Sequence, residues 1–212
     1  MINHGETEAL INSTVSYKEA LIENCNRTPV PNNLKSELIS NAFDIVFEHS
    51  DAVNLLIANT LFTTALAVLR LQYDALVRQV WLLYVASDSD IEKLSAPLTS
   101  ENAQSVNNWI PSTNEMLKQL ELKAPAGLYK ILSDFKTYSS KALNSFVHTG
   151  IHALARKRDG FYSGMIISIL KQSNNLLHMT SLALAIDSGN QTSMLNVIEL
   201  SKKFSGCLDL AK

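Results

Sequence analysis

Three charged residues, Arg70, Asp74 and Arg78, follow one another at intervals of four. On a helix that spacing stacks them along one side, so the Asp74 carboxylate can pair with an arginine above or below it. Two guanidinium groups oriented by one carboxylate form a pattern that accepts an anion or a second carboxylate. Tyr73 and Trp81 lie close to the same arc. Two descriptions fit: an exposed stripe with ordinary ion pairs, or a partly enclosed polar site. A Trp within the arc speaks against a purely solvated face.

A second cluster is Asn144-Ser145-Phe146-Val147-His148-Thr149-Gly150. Asn144 and His148 are four apart, and Ser145 is three from His148, so all three can face one way. Gly150 permits a left-handed residue or a tight turn just after His148. His148 is then expected near a helix C-terminus, where the imidazolium form is favoured. A capping or core histidine is the plainer alternative. With Arg70 and Arg78 as phosphate holders, His148 is the candidate general acid or base. His148 and His152 have the spacing of a zinc-protease pair, but position 149 is Thr rather than Glu and Gly150 interrupts the helix. No metal and no cofactor is expected. Arg156, Lys157 and Arg158 form a basic run that suits either a solvated helix end or contact with an anion such as RNA phosphate.

The elements that must carry these residues are helices. The 212 residues include only 7 Gly and 5 Pro, and apolar residues make up 46%. The reading is an all-α bundle of about six to eight helices, forming one domain over residues 1–212. Residues 52–87 contain no Gly or Pro, and outside the Arg70–Asp74–Arg78 arc they are apolar nearly all round, apart from Gln72 and Gln79. They are expected to form one long central helix, which marks a buried element. His49-Ser50-Asp51 is the expected break before it, with Asp51 as its cap. Ser112 with Glu115 reads as a capping box. Pro125 opens a helix expected to run to about His148, and a last helix is expected from Thr192 to about Leu210.

Charged residues are 18%, below the ~25% of ordinary globular chains. Sparse charge on many helices suggests surface covered by a second copy, hence a homodimer. The charge is also uneven: residues 123–212 carry eleven bases and five acids, and the remainder is acidic. No basic and apolar leader pattern opens the chain, no stretch reaches the ~20 apolar residues needed to span a bilayer, and the two cysteines form no framework. A cytoplasmic setting without membrane contact is the expectation.

Taken together, Leu69–Leu82 and Leu143–Gly150 resemble a bacterial family of uncharacterised all-helical proteins. Its pattern is Arg-x-x-(Tyr/Phe)-(Glu/Asp) leading to Trp-Leu, with a later Asn-Ser-(Tyr/Phe)-x-His-(Thr/Gly)-Gly. The matching positions are Arg70, Tyr73, Asp74, Arg78, Trp81, Asn144, Ser145, His148 and Gly150. Asp74 stands where Glu is commoner in that pattern. The resemblance implies helical architecture and packing of the two segments together, but no activity. More remotely, the arrangement is similar to the HEPN superfamily of helical bundles, many of them RNases. Their Arg-x4–6-His signature does not occur here. An equivalent site has to be assembled across helices, from Arg70 or Arg78 with His148. Two functions follow: a helical interaction or ligand-binding module, or a divergent metal-independent RNase or nucleic-acid-binding protein of a defence or toxin type.

Overall fold

A computed structural model describes residues 4–102 and 105–209. Among them there is no strand, and ten α-helical segments follow one another. The first three are α1 (His4–Asn26), α2 (Leu34–Ala58) and α3 (Phe62–Tyr84). Next come α4 (Asp88–Ser95), α5 (Thr113–Lys123), α6 (Ala126–Phe135) and α7 (Lys141–Val147). The chain then forms α8 (Ile151–Asp159), α9 (Ser163–Asp187) and α10 (Gln191–Lys203). The architecture is therefore all-α, with more segments than the six to eight expected.

The expected helix over 52–87 is not one helix. Residues up to Ala58 belong to α2, which runs straight through His49-Ser50-Asp51. Ser50 is fully buried there rather than breaking the helix. Asp51 caps nothing and instead pairs with Lys18 of α1. The real corner is Asn59-Thr60-Leu61. Asn59 Nδ2 donates to the Leu55 carbonyl at 2.8 Å and so satisfies an end-of-helix acceptor. Thr60 then takes a φ of +60°, the left-handed region that usually falls to glycine. The chain reverses without Gly or Pro, which is why composition alone conceals the corner.

Other boundaries follow local chemistry. Ser112 and Glu115 form the capping box of α5, and Ser87 with Asp90 forms one for α4. The helix opened by Pro125 is not a uniform α-helix. Lys136–Ser140 winds as a π-helical turn between α6 and α7. The last helix ends at Lys203, followed by a 3-10 turn at Ser205–Cys207. Leu210 lies outside the described residues.

α3 is the hub, packed against α2, α5, α7 and α9. Its Leu69, Tyr73, Leu76, Val77 and Val80 are essentially inaccessible. Each such side chain contributes roughly 1.5–3 kcal/mol of burial. One hydrophobic cluster links these residues with Tyr17 and Leu21 of α1, Ile39 and Val46 of α2, and Ile166, Leu170 and Leu177 of α9. No helix among the described residues is long and apolar enough to cross a membrane.

Candidate functional site

The periodicity that buries one side of α3 leaves Arg70 and Asp74 on a rim facing α5 and α7. Arg70 and Asp74 form an ion pair, with side chains 12% and 31% exposed. Nη1 of Arg70 meets the carboxylate as a charge contact rather than an aligned hydrogen bond. Its Nε donates to Asn144 Oδ1 of α7 at 3.0 Å. Its guanidinium carbon lies 5.5 Å from the centre of the Tyr73 ring, a cation–π distance. Asp74 accepts a 2.7 Å hydrogen bond from the Thr113 hydroxyl, at the start of α5.

The apolar members of the same stretch are tied down as well. Tyr73 is wholly buried, stacks on Phe135 at 4.4 Å, and donates its hydroxyl to the Leu132 carbonyl of α6 at 2.7 Å. Burial raises its pKa, so the hydroxyl stays protonated and remains a donor. Trp81 Nε1 donates to Gln119 Oε1 of α5 at 2.6 Å. Both rungs to α5 step forward along both helices, so α3 and α5 run parallel. Arg78 sits between these rungs, half-buried, with no hydrogen bond or ion pair among the described residues. Burial lowers its pKa, while the Asp74 charge opposes that shift.

The Asn-Ser-Phe-Val-His-Thr-Gly segment forms the corner from α7 into α8. Phe146 and Leu143 point into the core. Ser145 turns from Arg70 and accepts from the His152 backbone N–H at 2.9 Å, capping α8 from a distance of seven residues. The left-handed residue is Thr149, at φ +54°, and not Gly150, whose φ is −80°. Gly150 is required for space: a Cβ there would come within 2.6 Å of Ser145 Oγ. His148 occupies the C-cap position of α7. Its ring is exposed and makes no hydrogen bond among the described residues.

Arg70, Tyr73, Asp74 and Asn144 are thus brought into contact, with Arg78 and Trp81 one to two turns further along α3. Ser145 and His148 serve the adjoining corner. Arg156, Lys157 and Arg158 lie on α8. Arg156 rests 5.9 Å from the Tyr162 ring centre, Lys157 is exposed, and Arg158 pairs with the adjacent Asp159. Among the described residues no group of three or more His, Cys, Asp or Glu is placed to hold a metal ion.

Sequence reasoning noted Gln72 and Gln79 only as interruptions of an apolar surface. Both are completely buried. Gln72 accepts from the Ser173 hydroxyl at 2.8 Å and donates to the Ser173 carbonyl at 3.2 Å. Gln79 repeats this with Thr180, at 2.5 and 3.3 Å. The available signal was the shared seven-residue interval in the two helices. His178 was also missed. It is only 8% exposed, and its Nδ1 lies 3.2 Å from the Tyr17 hydroxyl.

One family model matches residues 43–210, most of the chain. The chain belongs to the DUF6988 family. That family is described as one of unknown function. No curated protein and no solved structure matches the chain. The DUF6988 span takes in α3 and the α7–α8 corner together with α9, whereas α1, and with it Tyr17, falls outside it.

Proposed function

We propose that this chain is a non-catalytic helical binding module in which the Arg70–Asp74–Asn144 cluster is a structural clasp. The observation that supports this is where the polar groups go. Arg70 is turned to Asp74 and Asn144, Asp74 to Thr113, Tyr73 to a backbone carbonyl, Trp81 to Gln119, and Ser145 to the next helix. A catalytic constellation needs groups held ready for a substrate. These groups fasten α5, α6 and α7 to the hub instead.

The proposal includes pairing of two copies. Ile151 and Leu154, one turn apart on α8, are large apolar side chains left in solvent, which fits a covered face. A monomeric mass by light scattering at micromolar concentration overturns that part.

Removing the Asp74 carboxylate leaves a largely enclosed guanidinium with Asn144 alone. Asp74→Ala is therefore expected to lower stability by about 2 kcal/mol, as for hydrogen bonds to charged groups, read from the urea midpoint. His148→Ala is expected to leave the midpoint unmoved. A second reading, as an RNA-binding or RNA-cleaving protein, is favoured by one observation: Arg78 is half-buried without a bonded partner, and Arg156 and Lys157 add cations on α8. Incubation with RNA at low salt separates the two. Cleavage that His148→Ala abolishes overturns the clasp reading in favour of a HEPN-like mechanism across helices.

A further inference from the structure

α9 carries His178 between Leu177 and Met179, and the ring has two different neighbours. On one side is Tyr17 of α1. On the other is a half-open apolar pocket of about 320 Å³ between α3, α6 and α9, whose wall includes His178. Leu83, Leu128, Ile131, Met179, Leu182 and Ile186 supply most of the remainder, and no wall residue carries a formal charge.

The hydrogen bond to Tyr17 fixes the tautomer. Burial raises the Tyr17 pKa, so its hydroxyl keeps its proton. That buried proton needs an acceptor, and the acceptor within reach is His178 Nδ1 at 3.2 Å. A neutral imidazole that accepts at Nδ1 carries its own proton at Nε2. Burial also pushes the His178 pKa down to about 4, so the ring is neutral near pH 7. Nε2–H has no partner among the described residues. It is a recessed donor in an apolar wall.

We propose that this cavity binds a small uncharged apolar molecule whose single carbonyl oxygen accepts the proton of His178 Nε2. The volume admits about ten non-hydrogen atoms at ~30 Å³ each, at the low end of ligand pockets. A carboxylate suits the site poorly, because no cation in the wall compensates its desolvation. A recessed donor also serves a molecule that enters the pocket better than a protein surface that covers it. The inference rests on the binding-module reading and gives that module a ligand class. Its site is separate from the clasp, so the Asp74→Ala result stands whichever way the cavity test falls.

The test is titration of the full chain with octan-2-one, followed by NMR of the His178 ring nitrogens and of the Met179 and Ile131 methyl groups. The expected result is saturable shifts in all three, with the ring nitrogens showing the Nε2–H tautomer. Octane and octanoate should bind more weakly. His178→Phe, which keeps an aromatic ring but no donor, should weaken octan-2-one roughly tenfold, the worth of one hydrogen bond. Leu182→Trp, which fills the cavity, should abolish the shifts. The proposal is overturned if octan-2-one leaves these signals unmoved, if octanoate binds best, or if His178→Phe binds the ketone unchanged. It is also overturned if the signals respond to protein concentration alone, which assigns the face to a second copy.

Discussion

On the side of α3 that meets α9, Gln72 and Gln79 are wholly buried; each pairs with the hydroxyl and the carbonyl of one residue of α9, and Gln79 Nε2 also reaches the Ile39 carbonyl of α2 at 3.4 Å. On the side that meets α5 and α7, Arg70 and Asp74 are charged and keep some contact with water. A neutral amide can be taken fully out of water when both its donor and its acceptor are matched. An ion pair loses far more on desolvation, so it sits at the rim, where water still screens it. The same helix thus uses uncharged groups where packing is tightest and charged groups where it is looser.

This contrast fixes an order of effects. Gln79→Ala should cost most, about 3–4 kcal/mol, because it opens a void in the core and strands the Thr180 hydroxyl. Thermal or urea unfolding measures it. If the loss is no larger than that of Asp74→Ala, the two sides do not differ as argued. A Gln79→Val, Thr180→Val pair should recover part of the loss, since removing both partners leaves no orphan.

Acid should come next, again through the buried side. The His178 pKa is about 4 in the folded chain, against an ordinary 6.5. Below 6.5 the unfolded chain takes up a proton that the folded chain refuses. This contribution is therefore whole above about pH 6.5, falls with pH, and is fully lost below about pH 4. It amounts to about 3 kcal/mol. His178→Gln should flatten the decline between those limits, and a variant with the wild-type slope would remove His178 from the account.

The smallest effect belongs to the α7–α8 corner. Ser145→Ala removes a capping acceptor from the His152 N–H and should cost about 1 kcal/mol. Amide exchange confined to the first turn of α8 would show it as local, and protection lost throughout the molecule would not fit.

What the sequence made legible follows the reach of each interaction. The α5 capping box joins residues three apart, and the Arg70–Asp74 pair joins residues four apart. Both can be read from spacing alone. The partners Thr113, Gln119 and Leu132 lie 38 to 59 positions from the residues they hold, so spacing carries no sign of them. Secondary structure divides similarly. Proline at 125 announced a helix start, whereas Asn59 and Thr60 turn the chain through a side-chain bond and a left-handed threonine. His49-Ser50-Asp51 looked like a break because its residues favour caps, yet Ser50 is buried and bonded to Ser173. The π-helical turn at Lys136–Ser140 has no breaker to mark it.

The two glutamine pairs also act as marks on a pair of rulers. Both join residues 101 positions apart. Sliding α9 by one turn along α3 aligns neither pair, and sliding it by seven residues aligns only one. The two helices consequently have one setting that satisfies both. One residue added between Gln72 and Gln79 rotates everything beyond it by about 100°, the angle of one helical step, and separates the marks. The long stretch from α4 to α8 is under no such restriction: its length can change while the marks still meet. Among family sequences, gaps should gather in that stretch, and the two seven-residue intervals should be free of them.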